Sequence, residues 1–253
     1  MKTNSKVVVV GLGEVGRPLL QLISNYHVVV GVDLSPVVPP EQVDVMHICF
    51  PFQIPDFVGE AVRYIERFRP ALAVINSTVA VGTTRSIALR AGIPVVNSPV
   101  RGKHARMLEE LRMYTKFVGA MDPTAGQQAA GHFQSLGLKT RILSSPEATE
   151  LAKLAETTYF GLIIAWAQEI ERYCDRTGQS YDEIVSFFEE VKYLPAKYFP
   201  GVIGGHCVMP NIQILSQLGP SLILEAIQAS NKSKIERGDQ KTDTNSVVSV
   251  HTS

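Results

Sequence analysis

The segment Gly11-Leu12-Gly13-Glu14-Val15-Gly16 has the glycine spacing of a turn that holds a pyrophosphate. The first glycine allows a tight turn, the second lets the backbone approach the phosphates, and the third lets a helix pack on a strand. A valine-rich run, Lys6 to Val10, precedes the turn, and Asp33 ends the next valine-rich run. A carboxylate at that position accepts hydrogen bonds from ribose hydroxyls and repels a 2′-phosphate. The arrangement therefore predicts a site for NAD rather than for NADP.

Two later segments carry side chains that are suited to catalysis. Asn76-Ser77-Thr78-Val79 follows a predicted strand, at the edge where open α/β sheets bind ligands. The glycine-rich stretch from Gly201 to Asn211 contains Cys207, and its glycines allow a substrate to approach the thiol. Lys153 lies near the start of a long predicted helix, where a positioned cation stabilises an oxyanion. The alternatives are a small buried thiol at Cys207 and a solvated charge at Lys153, with Glu150 three positions before it.

The elements that must position these residues alternate between strand and helix. This alternation predicts an α/β fold, a Rossmann doubly wound parallel sheet in a domain of residues 1–144, followed by an all-helical domain at 145–237. Residues 238–253 are polar and without periodicity, which predicts a disordered tail. The predicted strands are Lys6–Val10, Val28–Val32, Val45–Phe50, Ala71–Asn76, Pro94–Asn97, Lys116–Ala120 and Lys139–Leu143. The predicted helices of this domain are Arg17–Ser24, Val58–Phe68, Gly82–Ala91 and Pro123–Leu136.

The helical domain is expected to be built on one long helix. Ser145 followed by Pro146 is a helix-start signal, and Gly178 is the first stop signal after it. Thr158 to Ala167 is apolar nearly all round, which predicts burial on every face and a homodimer interface. Ser180 with Glu183 predicts a capping box for the next helix, which extends to about Val191. Two further helices are predicted, at Ile212–Gln217 and Leu222–Lys234.

Composition excludes several classes of protein. The 24 basic and 24 acidic residues balance, so no nucleic-acid or membrane-surface partner is indicated, and no apolar run is long enough to span a bilayer. The three cysteines, Cys49, Cys174 and Cys207, form no CxxC pair, which argues against a disulfide framework or a metal site and for a cytoplasmic protein. Cys49 and Cys174 are predicted to be core residues.

These motifs, in this order, resemble the UDP-glucose/GDP-mannose dehydrogenase family, and Gly204-Gly205-His206-Cys207 resembles the members that oxidise UDP-N-acetylhexosamines. The resemblance implies NAD-dependent oxidation of a sugar primary alcohol to the acid. Cys207 is implied as the nucleophile, Lys153 as the oxyanion stabiliser and Thr78 as the residue that positions water. Further catalytic positions fall on Thr157 and Asn211. The expected cofactor residues are Gly11, Leu12, Gly13, Glu14, Val15, Gly16, Asp33, Pro51, Ser77 and Thr78.

The chain departs from the family pattern at three polar positions. Thr157 stands where the family has Asn, Asn211 where it has Asp, and Val100 where it has Glu. Two carboxylates of the family pattern are therefore replaced, one by Val100 and one by Asn211. An amide such as that of Asn211 cannot act as a general base. The family also continues into a third domain, which this chain is expected to lack.

Substrate residues are expected in two places. The basic run Arg101 to Arg106 either binds an anionic small-molecule substrate or is a solvated loop, and its candidates are Arg101, Lys103 and His104. In the cysteine loop the candidates are Gly205 and His206, the latter mainly as a residue that shapes the loop.

Three functions remain open from the sequence. The first is a four-electron dehydrogenase that uses Cys207. The second is a two-electron dehydrogenase similar to the β-hydroxyacid dehydrogenases, which share the architecture and a lysine at the start of the long helix. The third is a non-catalytic NAD-binding protein.

Overall fold

A computed structural model describes residues 5–35, 37–102, 106–192, 198–205 and 207–237. The chain divides into two compact units, Met1–Lys153 and Leu154–Ser253. The predicted domain boundary at 144/145 stays a prediction, as does the tail at 238–253, which lies outside the described residues.

The first unit is built on a seven-stranded sheet with the strand order β2-β1-β3-β4-β5-β6-β7. The order reverses between β1 and β3, which is the point at which open sheets of this kind form a ligand crevice. The predicted Rossmann class is confirmed. The strands are β1 (Lys6–Val10), β2 (Val28–Val32), β3 (Val43–Ile48), β4 (Pro70–Ile75), β5 (Val95–Asn97), β6 (Lys116–Ala120) and β7 (Thr140–Leu143).

Helices cover both faces of this sheet and bury its central strands, whereas the edge strand β2 stays partly exposed. One apolar cluster packs under α1, α4 and α5, and the other packs under α2 and α3. Asp56 and Asp122 cap α2 and α5 by accepting backbone N–H groups of their first turns. The helices are α1 (Gly16–Ser24), α2 (Phe57–Phe68), α3 (Thr83–Ala91), α4 (Met107–Met113) and α5 (Pro123–Ser135).

The sheet departs from the predicted all-parallel arrangement at β6, which runs antiparallel to β5. Lys116, the first residue of β6, donates from Nζ to the Ser98 carbonyl at 2.7 Å, and the Ser98 hydroxyl donates to the Phe117 carbonyl. The start of β6 therefore lies beside the end of β5, so the two strands must run in opposite directions. The short helix α4 in this connection was not predicted.

The helical elements are α6 (Pro146–Thr177), α7 (Tyr181–Glu189), α8 (Val208–Ser216) and α9 (Leu222–Glu236). The predicted start and stop signals of α6 are present, because Ser145 Oγ accepts the Ala148 N–H at 3.1 Å and Gly178 has a φ of +69°. Helix α8 begins at Val208 rather than at the predicted Ile212. Pro210 does not prevent this, since the first turn of a helix leaves its N–H groups without intrahelical partners.

The middle of α6 is buried on one side only, so the prediction of burial on every face is wrong within this chain. Ala165 packs against Ile212 and Ile227 of α8 and α9. Tyr159 and Trp166 are 52% and 54% exposed. An all-apolar pattern cannot tell which face the chain itself covers.

Candidate functional site

The glycine turn joins the ends of β1 and β2, where Gly11 N–H donates to the Val32 carbonyl at 2.8 Å. A Cβ on Gly11 would lie 2.7 Å from the Phe50 nitrogen, and one on Gly16 would lie 1.8 Å from the Gly11 carbonyl oxygen. Both positions therefore require glycine. A Cβ on Gly13 would meet nothing within 4 Å, so this part of the turn is open to a ligand.

A cleft of about 990 Å³ opens over this turn, within the first unit. It is lined by the carboxyl ends of β1, β2 and β3 and by one face of α2. The residues predicted for the cofactor that line it are Gly11, Leu12, Gly13, Asp33 and Pro51. The size and the position at the strand-order reversal suit a dinucleotide.

The other predicted cofactor residues do not line this cleft. Gly16 is buried in the turn, and Val15 packs on the core under α1. The Glu14 side chain is exposed, and Thr78 is half-buried. Ser77 Oγ donates to the Phe50 carbonyl at 2.6 Å and so ties the end of β4 to the loop after β3.

Several residues of the cleft were not predicted from the sequence. Arg17 lies at the start of α1, and its Nε donates to the Leu12 carbonyl at 2.7 Å. Glu60, Arg63 and Tyr64 come from α2, and the first two form an ion pair. Their spacing of three and four residues on a helix that follows β3 was the signal that would have placed them on one face.

The loop after β4, which carries Thr78, is held at its far end by Glu150 of α6. Glu150 Oε2 accepts the Gly82 N–H at 2.7 Å, and Oε1 accepts the Thr84 N–H at 2.8 Å. The Glu150 side chain is 1% exposed, and burial raises its pKa although these hydrogen bonds oppose the rise. Glu150 therefore caps the start of α3 and is not the solvated partner of Lys153 that the sequence suggested. Lys153 itself is half-buried, one turn further along α6.

Buried histidines lie behind the end of β4. Asn76 Nδ2 is 3.0 Å from His47 Nδ1, and His47 Nε2 is 2.9 Å from His132 Nε2. Burial lowers the pKa of His47 and lowers that of His132 to about 4. Both rings are therefore neutral at pH 7. In the contact between His47 Nε2 and His132 Nε2, one ring nitrogen donates and the other accepts. No pattern in the sequence predicted these side-chain hydrogen bonds, because His47 lies in an apolar strand and His132 in a helix.

The segment after β5 is anchored by the buried amine of Lys116, which donates to the Ser98 and Pro99 carbonyls. Burial lowers the pKa of Lys116 to about 7. The guanidinium of Arg101 lies 5.1 Å from the ring centre of Tyr114 and 5.6 Å from that of Phe117. The predicted substrate residues Lys103 and His104 lie outside the described residues.

Cys207 of the second unit is exposed and stands at the N-cap position of α8. Cys49 of the first unit and Cys174 of the second are buried, as predicted. Asn211 Nδ2 donates to Thr157 Oγ1 at 2.9 Å, and both side chains are buried. The structure thus brings together two of the predicted catalytic positions, one turn after Cys207. Gly205, with a φ of +78°, precedes them, and His206 lies outside the described residues.

Within the described residues, no three His, Cys, Asp or Glu side chains are grouped to hold a metal ion. No helix in the same part of the chain has the length and apolar character to cross a membrane.

Residues 147–233 match the model of the UDP-glucose/GDP-mannose dehydrogenase family, central domain. The resemblance predicted from the sequence motifs is confirmed. The UDP-N-acetyl-D-mannosamine dehydrogenase of Methanococcus maripaludis is 25% identical to the chain over 253 aligned positions. The alignment covers 80% of this chain and 59% of that protein. The chain thus spans less than two thirds of the length of this relative.

Two solved dehydrogenase structures have the same fold. UDP-D-ManNAc dehydrogenase from Pyrococcus horikoshii matches with a TM-score of 0.81 at 18% identity, over 92% of this chain and 69% of that one. Mycobacterium tuberculosis 3-hydroxyisobutyrate dehydrogenase matches with a TM-score of 0.69 at 18% identity, over 94% of this chain and 96% of that one.

Proposed function

We propose that the chain is an NAD-dependent dehydrogenase that oxidises a primary alcohol of a nucleotide sugar, or of a smaller anionic substrate, to the acid through a thioester on Cys207. The observation that carries the proposal is the exposed Cys207 at the start of α8, beside the buried pair of Thr157 and Asn211. The other two cysteines are buried. The match of residues 147–233 to the family's central domain places this cysteine in a segment that is similar to nucleotide-sugar dehydrogenases.

The residues of the first unit fit NAD. Gly13 leaves open space for the pyrophosphate, and the N-terminus of α1 contributes N–H groups that favour negative charge. Asp33 lines the same cleft, where its carboxylate is suited to the ribose hydroxyls. Bound NAD supplies the hydride acceptor for each oxidation step. Glu14, Val15, Gly16, Ser77 and Thr78 shape the turn and the neighbouring loop.

The chain's own residues then carry the acid-forming steps. Loss of a hydride and a proton converts the alcohol to an aldehyde. The Cys207 thiolate adds to the aldehyde carbonyl and, with one proton taken up, forms a thiohemiacetal. Loss of a second hydride and a proton gives a thioester, which water hydrolyses to the carboxylate and the thiol. Lys153 stabilises the oxyanion of the thiohemiacetal, and Thr78 positions the water.

Asn211 sets the slow step in this proposal. Its Nδ2 donates to Thr157, and a neutral amide cannot take a proton from the attacking water. Val100 is likewise buried and apolar where the family has a carboxylate. We therefore expect the thioester to form faster than it is hydrolysed.

A two-electron dehydrogenase of the β-hydroxyacid type is the second candidate. It is favoured by the replaced carboxylates at Val100 and Asn211, and by the fold match that covers 96% of the M. tuberculosis 3-hydroxyisobutyrate dehydrogenase chain. Such an enzyme needs Lys153 and no cysteine nucleophile.

The exposed apolar face of α6 supports a homodimer as a further part of the proposal. Tyr159, Leu162 and Trp166 lie on this face and are 40–54% exposed. Contiguous apolar residues of this size mark interaction surfaces more often than free surface. A dimeric mass by light scattering at micromolar concentration is the expected result. The small number of cysteines, with no CxxC pair in the sequence, supports a cytoplasmic location.

The deciding experiment counts NADH and acid formed from nucleotide sugars and from hydroxyacids. The proposal expects two NADH per acid from the wild type, a loss of acid in Cys207→Ser, and no loss in the control Cys174→Ala. One NADH per substrate, unaffected by Cys207→Ser, indicates the two-electron enzyme. Calorimetric NAD binding without turnover of any substrate indicates the non-catalytic protein.

A further inference from the structure

Residues 201–205 lead directly to Cys207, and two buried amide side chains from neighbouring helices hold this segment by its backbone. We propose that Asn231 of α9 is a positioning residue that fixes the backbone ahead of Cys207, with Gln168 of α6 as a second anchor. The inference rests on the proposed role of Cys207 as the nucleophile.

Asn231 binds the backbone of a single loop residue with both of its side-chain polar atoms. Its Oδ1 accepts the Ile203 N–H at 2.7 Å, and its Nδ2 donates to the Ile203 carbonyl at 3.0 Å. Asn231 is 4% exposed and Ile203 is 3% exposed. Two hydrogen bonds to one peptide segment fix its orientation as well as its position.

Gln168 holds the same segment two residues earlier. Its Nε2 donates to the Gly201 carbonyl at 2.8 Å, and its Oε1 accepts the Ser230 hydroxyl at 2.7 Å. Arg172 also donates to Ser230, at 3.0 Å. This network orients the Gln168 amide, so its N–H group is directed at the loop.

The far side of Cys207 is held equally closely. A Cβ on Gly161 of α6 would lie 2.8 Å from a methyl group of Val208, so α8 packs on α6 without space between them. Asn211 is bonded to Thr157 one turn later. Two of the three residues between Ile203 and Cys207 are glycines, Gly204 and Gly205, which restrict the backbone little. The Ile203 anchor therefore limits the backbone on the N-terminal side of Cys207.

An apolar residue at position 231 could fill the same space but would leave the Ile203 N–H and carbonyl without these partners. Asn231 lies next to the cluster of Ile203, Ile212 and Ile227, into which a leucine would pack. A buried amide is stable there only while its hydrogen bonds to the loop are made. The amide therefore specifies the path of the loop in addition to filling space.

The test compares three variants of the full chain. Asn231→Leu removes both hydrogen bonds, and Asn231→Asp keeps the acceptor for the Ile203 N–H but loses the donor to its carbonyl. Lys234→Met is the matched control, because Lys234 is buried on the same helix and its 2.7 Å ion pair with Glu171 joins α9 to α6.

Amide hydrogen exchange of residues 201–205 measures how firmly the Asn231 side chain holds the backbone of this segment. We expect exchange to accelerate about 30-fold in Asn231→Leu and about fivefold or more in Asn231→Asp, since each hydrogen bond contributes about 1 kcal/mol. The alkylation rate of Cys207, read by mass spectrometry, should fall in the same order. With any substrate that the wild type oxidises, kcat should fall in both Asn231 variants while KM for NAD stays constant. The control Lys234→Met should change each of these quantities less than twofold.

The outcomes separate the inference from the proposed function. Unchanged exchange and alkylation in both Asn231 variants, or equal changes in Lys234→Met, overturn the inference whatever the enzyme does. Altered exchange and alkylation in a protein whose wild type forms no acid overturns the proposed function and leaves the anchor supported. If Asn231→Leu does not fold, Asn231→Asp alone decides, because it is close in size and shape.

Discussion

Acidification should unfold the first unit before the second, because His47 and His132 are buried in the first unit. The pKa of His132 is lowered from 6.5 to about 4 by burial. A histidine whose pKa is lower in the folded state contributes full stability above pH 6.5 and loses it as the pH falls towards 4. For these values, the free energy of unfolding falls by about 2 kcal/mol between pH 7 and pH 5. His47 adds to the loss in the same direction.

The three cysteines allow this loss to be assigned to one unit. Cys49 is buried in the apolar cluster of the first unit, Cys174 is buried in that of the second, and Cys207 is exposed. A disulfide reagent that reacts at acid pH, with mass spectrometry, reads the opening of each unit separately. We expect Cys49 labelling to accelerate about 20-fold between pH 7 and pH 5, with a smaller change at Cys174.

His132→Gln is the matched variant, because it removes the titrating group and keeps a polar partner for His47. Cys49 labelling in this variant should depend less steeply on pH, because about 2 kcal/mol of the change in opening free energy over this interval is removed. If Cys49 and Cys174 respond equally to pH, or if His132→Gln keeps the full dependence, the buried histidines are not the cause.

Two substitutions test the other buried polar contacts. Glu150→Ala leaves the Gly82 and Thr84 N–H groups without their carboxylate and should destabilise the first unit by about 1–3 kcal/mol in urea denaturation. Glu147→Ala, which removes a partly exposed ion pair with Arg85, should cost less than about 1 kcal/mol, and equal losses would contradict the capping role. Asn211→Asp restores a carboxylate beside Thr157 and should accelerate hydrolysis of the thioester roughly tenfold or more in single-turnover acid formation. Unchanged hydrolysis would show that another group activates the water.

The sheet and the glycine turn could be predicted because their signals are local. Continuous valine runs predict strands, and β1 and β2 have the predicted bounds, although only β1 is buried along nearly its whole length. Gly11 and Gly16 are required by contacts within the turn and with the next strand. Helix starts at Ser145 and Ser180 also depend on neighbours in sequence.

The remaining features depend on contacts between residues far apart in the sequence. Nothing in the charge pattern around Glu150 shows that its carboxylate reaches Gly82 and Thr84. The direction of β6 depends on where its first residue meets Ser98, and strand propensity carries no direction. The exposed face of α6 could not be predicted because apolar residues occur all round the helix.

The reversal of β6 has a consequence for proton exchange in neutral solution. Because β6 runs antiparallel to β5, its first residue, Lys116, lies at the edge of the sheet where β1 to β5 have their carboxyl ends. With a pKa of about 7, the buried amine is protonated in about half of the molecules at pH 7. Any event at this edge that changes its surroundings takes up or releases a fraction of a proton. The heat of such an event then depends on the ionisation enthalpy of the buffer. Lys6, the first residue of β1, lies at the opposite edge of the sheet.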